Sequence, residues 1–227
     1  MVKTCWIVSI GSIAVLTAGT IALSSEASNK DRIYAVVEKM VFAIEELDDL
    51  IAETEVTYYS KGKEDQRYQL TYFFKKEGYF RVNFSSPFPG LTVLYKRGDD
   101  KLTVKPFRFL PLKFRFSIYN RLVRTPSGQR IDQADVRYLI EFLFRNAKWI
   151  DEKESEYLEE RTHVEFLFWA KDYLEEKTFE KYRVFVSSKN WLPLRIERYD
   201  KKGKLIEIAV FKKYTINSHL ENSFFLF

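Results

Sequence analysis

The chain has 227 residues, 46% of them hydrophobic and 17% aromatic, enough for the core of one ordinary domain or one large all-β domain. Its 37 Lys/Arg and 32 Asp/Glu leave a formal charge of +5 mixed along the sequence. This describes a solvated surface with at most weak attraction for anionic membranes or acidic partners. With only 8 Gly and 6 Pro the chain is not of low complexity, and 20 Phe with 14 Tyr favour strands, because flat, stiff rings pack well on a pleated surface.

At the N-terminus, Lys3 precedes an apolar stretch from Ile7 to Leu23, and small residues follow at Ala22, Ser24 and Ala27. That pattern predicts an export signal over residues 1–27, cleaved near 24 or 27, and one domain over residues 28–227. A stretch of about 17 apolar residues is at the short limit for a membrane span, so an uncleaved inner-membrane anchor is the alternative. The sole cysteine, Cys5, stands in front of the apolar stretch, whereas a lipid-modified cysteine would follow it. Loss of the signal removes Cys5 as well, which excludes disulfides, cysteine nucleophiles and thiolate metal sites from the remaining chain.

The first element after the signal is a helix from about Asp31 to Leu50. Ile33, Val36, Val37, Met40, Val41, Ile44 and Leu47 fall on one face, and Ser28, Asn29 or Asp31 can cap its start. Strands follow at close intervals, near Ile51–Ser60, Arg67–Lys75, Tyr79–Phe84, Leu91–Lys96 and Lys101–Pro106, which favours an antiparallel meander.

Within that meander, Phe80, Val82 and Phe84 share one face of a strand, and Leu91, Val93 and Tyr95 share one face of the next. Together with Tyr72 and Phe74 on the preceding strand they outline an apolar concave surface that carries no catalytic group.

The next stretch, Phe107 to Phe116, alternates aromatic and basic residues. Its plain reading is a pair of short strands with one wet face. Such a pattern also suits an anionic membrane surface or the rim of a cavity. It can bind single-stranded nucleic acid too, a partner that export disfavours.

A second helix is predicted from Asp132 or Ala134 to Asn146, with Val136, Leu139, Ile140, Leu143 and Phe144 as its apolar stripe. Four further strands are read near Tyr157–Lys171, Lys177–Ser187, Leu192–Asp200 and Lys204–Thr215, with tight turns at Asn190 and Lys201-Lys202-Gly203. An apolar segment, Phe224 to Phe227, closes the chain.

Chemistry-bearing motifs are sparse. His163 and His219 are too far apart to form a local ligand pair; the first sits in a predicted strand as a structural histidine, the second in a polar, exposed turn. There is no glycine-rich phosphate loop, no Gly-x-Ser-x-Gly elbow and no paired-histidine zinc helix. Glu165 and Glu197 alternate with Lys and Arg as a solvent face does. These features point to binding rather than catalysis, with no cofactor and no metal.

The run Phe80-Arg81-Val82-Asn83-Phe84-Ser85-Ser86-Pro87, followed by Asp99-Asp100-Lys101-Leu102, resembles the periplasmic lipoprotein carrier and receptor superfamily of LolA and LolB. Trp191-Leu192-Pro193-Leu194-Arg195-Ile196 and Lys202-Gly203-Lys204-Leu205 resemble its late strand hairpin. The resemblance covers most of the chain from Ile33 onward. It implies an α+β fold: a curved, incomplete antiparallel β-barrel whose open apolar interior is covered by amphipathic helices. It also implies a periplasmic monomer that holds the acyl chains of lipoproteins or other lipids, with transient contacts to membrane surfaces and envelope transport proteins and none to nucleic acid. Tyr72, Phe74, Phe80, Val82, Phe84, Leu91, Val93 and Tyr95 would line the cavity, and Val37, Met40, Val41, Ile44, Leu139, Ile140 and Leu143 would form its helical lids.

Two positions distinguish this chain from the branches of that superfamily. Carriers have an Arg-Pro pair before the Phe80 strand whose arginine latches the lid. Here Lys76 and Glu77 stand in its place, and lysine lacks the planar fork for several fixed hydrogen bonds. In receptors an apolar residue protrudes just after an Asn-Pro; Ser86-Pro87-Phe88 puts Phe88 there, as a point of membrane contact. The expectation is a carrier that passes acyl chains toward the outer membrane. An RseB-like regulatory protein, using the same fold to bind lipid and a membrane-protein partner, is the alternative. An envelope hydrolase would instead need two close unpaired carboxylates, or a histidine beside a serine, in a deep cleft.

Overall fold

In a computed structural model of the chain, residues 27–171 and 179–226 are described. The expected export signal, apart from Ala27, lies outside them, as do Lys177 and Phe227. Helix α1 (Asn29–Glu45) begins at Ser28, whose Oγ accepts from the Asp31 N–H at 3.2 Å and so satisfies one orphan donor of the first turn. It buries Ile33, Val36, Val37, Met40 and Ile44.

The helix ends earlier than its apolar spacing predicts, because Leu50 belongs to strand β1 (Asp49–Ser60) and not to a last helical turn. β1 is hydrogen-bonded along both edges, and two ladders outweigh the single bond per residue that a longer helix would add.

The strands that follow are β2 (Lys63–Lys75), β3 (Tyr79–Ser86), β4 (Thr92–Lys96), β5 (Lys101–Lys105) and β6 (Phe114–Ser117). After helix α2 (Val136–Ala147) come β7 (Glu156–Glu159), β8 (His163–Lys171), β9 (Phe179–Ser187), β10 (Pro193–Tyr199) and β11 (Leu205–Ile216). All pair antiparallel in one sheet of order β6-β5-β4-β3-β2-β1-β11-β10-β9-β8-β7. Two meanders are thus welded along β1 and β11, while β6 and β7 remain as edges. The sheet is open and curved, and α1 and α2 pack on each other and on its inner face, as the α+β expectation required.

Two segments depart from their predicted form. Tyr157–Lys171 is a hairpin and not one strand: the polar run Glu160-Arg161-Thr162 makes the turn, with the Glu160 N–H bonded to the His163 carbonyl at 2.9 Å. Between Phe107 and Phe116 only β6 forms a strand. Pro106 and Pro111 lack the N–H groups that a second strand would need for its ladder.

The period-2 alternation assigns the remaining faces. Tyr72, Phe74 and Phe80 point inward, whereas Phe73, Tyr79 and Arg81 point outward and meet the end of the chain. The Phe224 ring lies 4.8 Å from Phe73, Arg81 donates to the Phe224 carbonyl at 2.7 Å, and Phe225 is buried beside Tyr79.

That final segment is anchored by Asp49. Its buried carboxylate accepts from the Ser218 N–H and Oγ, both at 2.7 Å, and from the Leu220 N–H at 2.8 Å. Burial alone would raise this carboxyl, but the hydrogen bonds from Ser218 and Leu220 prevail and hold it below the ordinary aspartate range. An aspartate depressed in the folded state stabilises it above its unfolded titration range, and that contribution disappears as pH falls through the folded value. Asp49→Ala should therefore cost about 2–4 kcal/mol at neutral pH. Urea unfolding at several pH values checks this, and the difference from the parent chain should shrink below the ordinary aspartate range.

Candidate functional site

Alternate residues along part of the inner face of the sheet open onto one cavity of about 490 Å³. Thr54, Val56 and Tyr58 come from β1, Tyr68, Leu70 and Tyr72 from β2, Val82 and Phe84 from β3, and Leu102 and Val104 from β5. The far wall is built from the other end of the chain, by Tyr182, Ile196, Arg198, Ala209 and Phe211. The roof is α2, through Val136 and Leu139, together with residues 119–135, a strap that includes Leu122, Val123, Pro126 and Ile131.

Of the predicted lining residues, Tyr72, Val82, Phe84, Leu91 and Val93 face the cavity. Phe74, Phe80 and Tyr95 do not. They are buried where the helices cover the end of the sheet: Phe80 packs 5.2 Å from Tyr95, and the Arg137 guanidinium of α2 stacks 4.8 Å over Phe74. Of the predicted lids, Leu139 reaches the cavity. Val37, Met40, Ile44, Ile140 and Leu143 are buried in the core, and Val41 packs against it, so α1 backs the site without lining it.

Phe88 stands at the mouth, 52% exposed, with one side toward the cavity and its ring 6.2 Å from Tyr68. His163 lies in β8 beside Phe185, away from the cavity, and His219 is exposed.

Several polar contacts hold the roof down. Arg97 grips Glu141 of α2 through two bonds of 2.8 and 2.5 Å. Arg137 of α2 donates to the Lys76 carbonyl at 3.3 Å, so Lys76 helps hold the roof through its backbone. Asp135 caps α2, accepting from the Arg137 N–H at 3.0 Å and from the Tyr72 hydroxyl on the cavity wall at 2.8 Å.

The strap is pinned to the far wall by a buried cluster. Arg198 donates to Glu180 through Nε and Nη2 at 3.1 and 2.8 Å, and through Nη1 to Glu207 at 2.6 Å and to Ser127 Oγ at 3.2 Å. Ser127 in turn donates to Glu207 at 2.8 Å. Burial would lower the Arg198 titration, yet Glu207 and Glu180 raise it, and the guanidinium stays charged. Both carboxylates are engaged in this network, unlike the pair of close unpaired acids that hydrolysis needs. Among the described residues, no group of three or more His, Cys, Asp and Glu is placed to hold a metal ion.

No family model and no curated protein matches the sequence. Solved structures do match. MucB, whose complex with MucA from Pseudomonas aeruginosa is also matched, superposes with a TM-score of 0.50 at 13% identity, over 86% of this chain and 62% of MucB. The fold is shared with MucB. A LolA superfamily protein from Nitrosomonas europaea matches at 12% identity and TM-score 0.41, over 88% of this chain and 97% of its own. The lipoprotein LppX from Mycobacterium tuberculosis matches at 10% identity and TM-score 0.46, over 84% and 97%. At these identities the likeness is one of fold.

Within this fold the sequence left much of the cavity unassigned. Val56, Leu70, Val104, Ala209 and Phe211 could have been found by extending the same period-2 alternation to the other strands. The strap has no periodicity to reveal it.

Two measurements probe the roof. Replacing Arg198 by Met leaves Glu180 and Glu207 without their buried partner and should cost about 3–5 kcal/mol in urea unfolding. Asp135 tests the pH dependence, because burial raises its carboxyl in spite of its hydrogen bonds with Tyr72 and the Arg137 N–H. An aspartate raised by folding favours the folded state while protonated, and this advantage is lost as pH climbs through the raised range. Asp135→Asn keeps an acceptor for Tyr72, so the variant should gain stability relative to the parent as pH rises above the ordinary aspartate range. Parallel stability curves for the two proteins would contradict that assignment.

Proposed function

We propose that the chain binds the acyl chains of lipoproteins or other envelope lipids in this cavity and passes them toward the outer membrane. The observation that carries the reading is the cavity itself. Its volume of about 490 Å³ lies within the usual range of about 300–1,000 Å³ for small-ligand sites. Its walls are Val, Leu, Ile, Phe and Tyr, with polar groups gathered under the strap. Burying an acyl chain there is favourable by about 0.8 kcal/mol per CH₂. The acting unit in this reading is residues 28–227, exported and freed of residues 1–27, working in the periplasm as a monomer and without a cofactor. Among the described residues, no helix is long and apolar enough to cross a membrane.

Release needs the roof to move, and a few polar contacts hold it. A ligand that prefers the opened state shifts the population toward it, and a membrane or partner of higher affinity then takes the chain. In this reading Phe88, exposed at the mouth, is the residue that meets the acceptor.

A second reading, the regulatory one, draws on MucB, which has been solved in complex with MucA. It requires a stable protein partner and no net movement of lipid between membranes. The 62% of MucB that this chain spans weakens the parallel, since the rest of MucB has no counterpart here.

Lipid that co-purifies with the protein, identified by mass spectrometry, together with uptake of a fluorescent fatty acid, tests the carrier reading. Ala209→Trp fills the far wall and should lower uptake at least tenfold, with the thermal midpoint recorded to confirm folding. Protein that repeatedly emerges empty and takes up no acyl probe would sink the reading.

A further inference from the structure

We propose that the loop between β5 and β6, with β6 and the start of the strap, is a docking surface for an anionic lipid bilayer. The charge distribution carries the argument first. Residues 101–131 hold eight Lys/Arg and no Asp/Glu, which leaves 29 basic and 32 acidic residues elsewhere of the chain's 37 and 32. The modest overall charge therefore conceals a strongly positive segment on an otherwise slightly acidic chain.

The same segment displays large apolar side chains. Phe109 is 82% exposed and Leu122 81%, while Phe107, Leu112, Phe114 and Tyr119 are also exposed. Among the described residues, nothing covers Phe109 or Leu122. Arg108 and Arg115 are exposed among them, so rings and cations alternate along one short stretch. That arrangement fits a bilayer interface, where apolar groups sink about 5–10 Å and cations stay level with anionic headgroups. An acidic protein would match the charge, but it offers no sink for so many separate rings.

The position is what ties the surface to the cavity. Leu122 is exposed and also lines the cavity, and Phe116 of β6 lines it from the adjoining strand. Arg108 packs against Gly90, and a Cβ placed on Gly90 would stand 3.1 Å from the Arg108 nitrogen, so the loop abuts the turn that carries Phe88. With this surface on a bilayer, the mouth opens at the level of the acyl chains, and a chain can cross without passing through water. That last step rests on the acyl-carrier reading; the docking does not.

Vesicle flotation tests it, with phosphatidylcholine alone and with about 30% phosphatidylglycerol. Parent and variants share the same N-terminal stretch, so only differences between them are read. Binding should require the anionic lipid and weaken as salt rises. Arg108→Gln with Arg115→Gln should reduce binding about thirtyfold. Phe109→Ser with Leu112→Ser should reduce it at least tenfold, without loss of thermal stability because both side chains are exposed. Binding that ignores lipid charge, or that survives both pairs of substitutions, overturns the proposal. So does a result in which those substitutions dissolve a dimer and leave vesicle binding intact. If the protein docks as expected yet takes up no acyl probe, the docking surface stands and the carrier reading falls.

Discussion

The pairing of β1 with β11 is the constraint on which the rest of this molecule depends. β1 is held on its other side by β2, so one strand near the start of the chain joins two meanders into a single curved sheet. Without that seam the wall made of β2 to β6 and the wall made of β9 to β11 would not face each other. Asp49, the first residue of β1, strengthens the seam by gathering the backbone after β11 onto its carboxylate. The open edges stay short: β6 and β7 have four residues each, which limits the unpaired backbone that could recruit another chain.

The cavity that results is apolar where the sheet curves and polar where the strap crosses it. The ion cluster of Arg198, Glu180 and Glu207 has no obvious advantage for stability over hydrophobic packing, since desolvating three charges offsets much of their attraction. What it supplies is direction. Ser127 finds its partners at one place on the far wall, so the strap has one closed position. The other latch, Arg97 on Glu141, is partly exposed and correspondingly weaker, and it lies at the end where α2 meets β4.

The strands and the stripe of α2 were legible in the sequence because alternation and helical spacing are local signals. The identity of the fold was legible in short runs around Phe80 and Trp191. What could not be read is which inward residues remain open to a ligand. Phe74, Phe80 and Tyr95 have the same alternation as Val82 and Phe84, and only the placement of α2 decides that the first three are covered. The helix boundary at Leu50 was missed for a related reason: its apolar spacing suits a helix, and the ladder to β11 overrides it. The charge of residues 101–131 was in plain view, but a total of +5 averaged it away.

Because the far wall includes Ala209 and Phe211 on β11, the cavity cannot close until the last long strand has been made. A chain growing from its N-terminus displays the apolar faces of β1 to β5 long before their partner strand exists. Pairing strands from opposite ends is also slow, since a long loop must close before any contact repays it. During that interval the nascent inner face is apolar surface without its opposite wall. The inner face exchanges that exposure for an enclosed cavity only when β11 is in place.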